Sequence, residues 1–132
     1  MKLTQMALDF HTAMDVPVLK KPTIPNKERC RLRQDLVTEE CSELCRAIDK
    51  RNLVEIADGI ADLLYVTIGT ALEFGLTECL GDIITEVHRS NMSKLVDGKP
   101  IKREDGKVLK PDTYSPADLA PIIKRFLDST QE

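Results

Sequence analysis

The stretch that decides the fold is a pair of helical segments. One reads Leu36-Val37-Thr38-Glu39-Glu40-Cys41-Ser42-Glu43-Leu44-Cys45-Arg46-Ala47, and the other Leu53-Val54-Glu55-Ile56-Ala57-Asp58-Gly59-Ile60-Ala61-Asp62-Leu63-Leu64. Projected at about 100° per residue, Glu40 and Glu43 fall among Leu32, Leu36 and Ala47 on the stripe expected to face the core, with Glu39 at its edge. In the second segment Ile56, Ala57, Ile60, Ala61, Leu63, Leu64, Ile68 and Leu72 cover most of the circumference, leaving Glu55, Asp58 and Asp62 as a narrow polar seam on a mostly buried helix. Arg51-Asn52 makes a turn tight enough to return the chain antiparallel.

Two acidic seams facing each other repel, and burial of an unpaired carboxylate is costly. The i, i+3 spacing places Glu40 with Glu43, and Glu55 with Asp58, on single faces, so four oxygen donors converge from two helices. Hard oxygen ligands without clustered His or Cys suit Mg²⁺, with Mn²⁺ able to substitute, rather than zinc. A lone ExxE more often pairs with Lys or Arg or lines a solvated groove. Two such pairs in apolar faces of consecutive helices favour a cation instead.

Working outward, the spacing predicts a first helix from Leu3 to about Asp15, then irregular chain through Lys20-Lys21-Pro22-Thr23-Ile24-Pro25, where proline removes donors and restricts its neighbour. Asn26 is the expected N-cap of a helix from Lys27 to about Lys50. The next helix, from Leu53 to about Phe74, ends at Gly75 in the left-handed C′ position. Thr77 with Glu78 is expected to open a fourth helix to about Met92. Extending its stripe of Leu80, Ile83, Ile84 and Val87 turns Asn91 and Lys94 inward and Arg89 outward, and puts His88 at the edge as a packing residue. Residues 95–111, with Asp97-Gly98 and Asp105-Gly106 turns among Lys99, Lys102, Arg103, Lys107 and Lys110, read as an exposed basic loop or hairpin. Ser115-Pro116 with Asp118 is expected to start a last helix through about Leu127.

The 132 residues, 42% hydrophobic and without tryptophan, suit a single all-α domain, an antiparallel bundle of four to five helices. A net charge of -3 argues against general nucleic-acid binding. Cys30, Cys41, Cys45 and Cys79 form no CxxC pair and read as reduced core residues. No apolar run is long enough to span a membrane, and a cytoplasmic location is expected.

The run Glu39-Glu40-Cys41-Ser42-Glu43 followed by Glu55-Ile56-Ala57-Asp58 resembles the EExxE…ExxD motif of the all-α nucleoside triphosphate pyrophosphohydrolases, which include MazG-like enzymes, dimeric dUTPases, dCTP pyrophosphatases and phosphoribosyl-ATP pyrophosphohydrolases. With Ala57 to Tyr65, Glu86 to Lys94 and Asp105-Gly106-Lys107, the likeness covers roughly residues 5 to 120 and is similar to the single-domain MazG-like branch. Only 11 residues, Leu44 to Val54, separate the motif halves, at the short limit of the family's spacing, which leaves a tight turn and argues against a base-recognition insert between the helices.

The resemblance implies a dimer or dimer of dimers that cleaves a nucleotide between its α- and β-phosphates with Mg²⁺. It places the metal ligands at Glu40, Glu43, Glu55 and Asp58, with Asp62 as a further metal or water position. Glu39 is the expected catalytic base, and Asn91 and Lys94 the expected phosphate or substrate contacts. A house-cleaning role on pyrimidine or non-standard deoxynucleoside triphosphates is expected first. The phosphoribosyl-ATP step of histidine synthesis, or a metal-stabilised helical module without catalysis, is the alternative.

Overall fold

A computed structural model describes residues 2–129 and is all-α. Its helices are α1 (Lys2–Ala13), α2 (Lys27–Asp49), α3 (Leu53–Glu73), α4 (Leu80–Met92) and α5 (Ala120–Asp128). The chain divides into two compact units, Met1–Glu78 with α1 to α3 and Cys79–Glu132 with α4 and α5. Among the described residues no helix is long and apolar enough to cross a membrane.

In the first unit α2 and α3 form the main helix pair and α1 packs on α3. The termini are set by local chemistry. The Asn26 side chain accepts the Arg29 N–H at 2.9 Å, as a Ser, Asp or Asn cap does. Between α2 and α3, Arg51 adopts φ 56, and the Asn52 side chain then accepts the N–H groups of Val54 and Glu55 at 3.1 and 3.2 Å. This reversal brings α3 back along α2.

At the far end Gly75, φ 65, closes α3: its N–H reaches Leu72 O and the Leu76 N–H reaches Ala71 O, the paired bonds of a Schellman motif. Leu19 and Thr23 donate their backbone N–H groups to Leu72 O and Phe74 O, lacing the irregular 16–26 segment to that end. A Cβ on Gly75 would meet Lys21 O at 1.9 Å, so the lacing requires glycine there.

The buried centre of this unit is small and partly ionic. Ala7, Ala47, Ile68 and Leu72 are its fully buried apolar residues, beside buried His11, Arg33 and Glu73. Glu73, 1% exposed, receives Arg29 Nε at 2.7 Å on Oε1, while Arg33 Nη1 makes a 2.9 Å charge contact with Oε2 that lacks hydrogen-bond geometry. Arg33 donates onward to Thr70 Oγ1 and Val66 O, and Gly69 provides the space for Arg33 and His11 to enter. The expectation of a mostly buried third helix is corrected here. Ile60 and Leu64 are about half exposed and Leu53 and Val54 are 79% exposed, because only one side of α3 meets α1 and α2.

The second unit is held by polar clamps. Glu86 receives Arg89 Nη2 and Nε and also the Asp118 N–H, while Arg125 pairs with Asp82 across α4 and α5. Helix α4 begins at Leu80, after a turn, rather than at Thr77-Glu78. Helix α5 begins at Ala120 with Pro121 in its first turn, not at Ser115-Pro116. The Ser115 N–H is bound by Ser93 Oγ and the Asp118 N–H by Glu86, contacts that tie this stretch to the end of α4 and its following turn. The basic excursion has the expected turns, Asp97-Gly98 and Gly106 at positive φ, with isolated bridges Val96 to Lys99 and Lys102 to Val108.

Of the four cysteines Cys79 is buried, Cys30 half-buried, and Cys41 and Cys45 exposed, so the core expectation holds fully only for Cys79. Cys41 and Cys45 fall on a face of α2 that no other helix of the unit covers.

Candidate active site

Both acidic clusters lie in the first unit. Glu39, Glu40 and Glu43 occupy the second half of α2, and Glu55, Asp58 and Asp62 the first half of α3. Because the 50–52 turn is short, these halves are the adjacent ends of the helix pair, and a groove of about 270 Å³ opens there, lined by Glu43, Arg46, Ala47, Lys50, Glu55, Asp58 and Gly59.

Gly59 sets the helix separation. A Cβ built on it would meet the Cα of Leu44 at 3.1 Å and its Cβ at 3.2 Å, tighter than ordinary packing. The glycine between Asp58 and Ile60 therefore lets α3 approach α2 beside the acids. Its signal in the sequence is a glycine inside a helix, one residue from a motif carboxylate.

The seam is more open than the helical projection implies. Glu40 and Asp62 are half-buried, while Glu39, Glu43, Glu55 and Asp58 are exposed. Among the described residues no three His, Cys, Asp or Glu side chains are drawn together as a preformed metal shell. The acids nevertheless act on one another. Burial first, then the charges of Asp62, Glu43, Glu39 and Asp58, push the Glu40 carboxyl above its ordinary range. Its Oε2 is buried and has no hydrogen-bond partner. A buried acceptor without a partner is rare in native structures, and here four other carboxylates act on it.

Lys50 Nζ lies 3.6 Å from Glu55 Oε2, both side chains exposed, a contact of little energetic weight. Among the described residues no ion pair involves Glu40. A hard divalent cation fits this donor set: all donors are carboxylate oxygens, the charge is in excess, and one oxygen is orphaned.

Asn91 and Lys94 belong to the second unit. The structure corrects their expected inward orientation: α4 stops at Met92, Ser90 is the buried residue of its last turn, Asn91 is exposed and Lys94 sits half-buried in the following turn. Lys94 Nζ donates to Asn91 Oδ1 at 2.9 Å, so the two form one polar group. His88 is exposed. Tyr114, which sequence reasoning left unassigned, has the ammonium groups of Lys94 and Lys110 at 5.9 and 5.1 Å from its ring centroid.

An uncharacterized protein of Acanthamoeba polyphaga mimivirus, L479, is 43% identical over 51 residues, 39% of this chain and 20% of that protein. The chain thus spans about a fifth of that relative's length. The sequence profile described as phosphoribosyl-ATP pyrophosphohydrolase matches residues 7–91, a span that runs from the middle of α1 through both acidic clusters to Asn91 in α4. On that match the chain belongs to the phosphoribosyl-ATP pyrophosphohydrolase family, one of the MazG-like all-α pyrophosphohydrolase-related families.

Proposed function

We propose that the protein is a Mg²⁺-dependent nucleoside triphosphate pyrophosphohydrolase, cleaving a nucleotide between its α- and β-phosphates to a nucleoside monophosphate and pyrophosphate. The observation that carries the reading is the partnerless buried oxygen of Glu40 amid Asp62, Glu43, Glu39 and Asp58. Family membership supports pyrophosphohydrolase chemistry in general.

In this reading Glu40, Glu43, Glu55 and Asp58 hold the metal, and Asp62 holds a further ion or a water. Bound there, Mg²⁺ or Mn²⁺ would offset phosphate charge and acidify a water. The chain's own contribution is positioning, which dominates phosphoryl chemistry. Gly59 fixes the spacing of the two acidic rows. Exposed Glu39, at the edge of the seam, accepts the proton of the attacking water. Lys50 releases Glu55 when the site loads. Asn91 and Lys94 supply an amide and a charge to phosphate oxygens.

We further propose assembly into a homodimer or dimer of dimers, supported by the exposed Leu53, Val54, Ile60 and Leu64 along α3. The expected substrates are pyrimidine or non-standard deoxynucleotides. The description of the matched profile favours phosphoribosyl-ATP as a second reading.

The test is pyrophosphate release from a nucleotide panel that includes phosphoribosyl-ATP, with Mg²⁺, comparing the native chain with Glu43→Gln. Release from a triphosphate, lost in Glu43→Gln, is expected. Release from phosphoribosyl-ATP alone replaces the first substrate with the second. No release from any nucleotide overturns the enzyme reading in favour of a binding module.

A further inference from the structure

The residues after α4 form a cationic cluster that the acidic site does not explain. Lys94 Nζ and Lys110 Nζ stand 5.9 and 5.1 Å from the centroid of the same ring, Tyr114, within cation–π range. Among the described residues neither lysine has an ion-pair partner. Lys94 has the neutral Asn91 Oδ1 as a hydrogen-bond partner, and no carboxylate pairs with either ammonium among the described residues, so both charges beside the ring are available to an anion.

The tyrosine is built in rather than incidental. Ser90, 4% exposed, donates its hydroxyl to Tyr114 Oη at 3.4 Å, which leaves the phenolic proton free for another acceptor. Tyr114 N–H closes a turn on Pro111 O, and the next residue, Ser115, donates its N–H to Ser93 Oγ at 2.8 Å. Ser93 Oγ in turn donates to Ser90 O at 2.6 Å. The ring is thereby pinned to the end of α4. The Ser90 hydroxyl, then Lys110, Lys94 and Arg89, outweigh burial and hold the phenol below its ordinary range, which strengthens it as a donor.

We propose that Lys94, Lys110 and Tyr114 form an anion site that takes a phosphoryl group, the two lysines matching its charge and the phenol donating the third contact. Identifying that group as part of a nucleotide's phosphate chain rests on the function proposed above; the site itself does not.

The test is calorimetric titration with inorganic pyrophosphate in EDTA, so that the acidic cluster has no metal through which to bind it. Lys110→Met is expected to weaken binding about tenfold, the loss of one charge-assisted contact. Tyr114→Phe, which keeps the ring and removes the donor, is expected to weaken it severalfold. Lys110→Arg restores most of the affinity, and Lys102→Met, a lysine of the same excursion without a ring contact, leaves it unchanged.

The proposal is overturned if the native chain takes up no pyrophosphate at millimolar concentration, if Lys110→Met binds as well as the native chain, or if Lys102→Met weakens binding equally, since binding would then be diffuse charge attraction. Lys110-dependent binding in a chain that hydrolyses no nucleotide keeps this site and removes the proposed function. Nucleotide turnover together with Lys110-independent pyrophosphate binding does the reverse.

Discussion

Removing the charge of Glu73 is expected to be among the most destabilising single changes outside the acidic groove. The carboxylate is 1% exposed and the Arg33 side chain 7%, so this pair is not weakened by solvent as surface pairs are. Arg29, with 29% of its side chain exposed, turns to water when its partner is neutralised. Arg33 has no such escape. In Glu73→Gln it keeps Thr70 Oγ1 at 3.1 Å and Val66 O at 2.8 Å but loses its only anion among the described residues. Breaking a buried pair by removing one partner costs about 3–5 kcal/mol. The two remaining neutral acceptors argue for the lower end, about 3 kcal/mol, which in a chain of this length lowers Tm by roughly 10 °C. Urea and thermal unfolding followed by circular dichroism measure both quantities. The double variant Arg33→Met with Glu73→Leu removes both charges and is expected to recover most of the loss, since apolar replacement of a buried pair is often near neutral. A Glu73→Gln protein that melts within about 2 °C of the native chain, well inside the shift expected from the cost above, would show that Arg33 is compensated by something other than Glu73 and would refute the reasoning.

Glu40→Gln is expected to raise Tm in EDTA at neutral pH. The raised carboxyl binds its proton more tightly folded than unfolded, so its contribution is present in acid and lost as pH rises through the folded value. Added Mg²⁺ should stabilise the native chain and not this variant, and an equal Mg²⁺ shift in both would place the cation elsewhere. Gly59→Ala is expected to cut pyrophosphate release at least tenfold by forcing α3 from Leu44, with the circular dichroism helix signal retained; unchanged turnover would show that the helix separation is not critical. The Arg89 side-chain bond, then the Asp118 N–H, lowers Glu86 from 4.5 to about 2. The Glu86 clamp is therefore complete above the unfolded value and is lost as pH falls from about 4.5 toward about 2. The Asp118 amide resonance, which reports the folded state, should move at the lower end of that window, near about 2, and one that moves near 4.5 removes the assignment.

What the sequence makes legible is whatever a few neighbouring residues decide. Asn26 caps α2, Arg51-Asn52 reverses the chain and Gly75 ends α3, each by contacts within one turn of the helix concerned. The motif acids likewise stand on the helices where their spacing puts them. What it does not make legible depends on which face finds a neighbour. Helical projection gives the direction of Glu43, Asn91 or Cys41 around an axis, but not whether another helix arrives on that side. The start of α5 is displaced for a related reason: Ser115 and Asp118 have the chemistry of a helix start, yet this stretch is tied to residues more than twenty positions earlier. The Arg29, Arg33 and Glu73 network was equally hidden, its one trace being a glutamate in the apolar run Ala71-Leu72-Glu73-Phe74.

These misses share a direction, and that direction is informative. On α3 the structure leaves uncovered both the acids Glu55 and Asp58 and the apolar Ile60 and Leu64, all of which the projection would bury. If the pattern were merely a poor predictor, the errors would run toward burial as often as toward exposure. Instead they fall where the proposed function needs additions from outside the chain, a divalent cation at the acids and a second copy on the apolar surface. The two additions are separable. Sedimentation in EDTA is expected to show an oligomer held by the apolar face of α3, and Leu64→Glu to dissociate it. Dissociation of the native chain by EDTA alone would instead mean that the cation, not apolar burial, completes the helix pair.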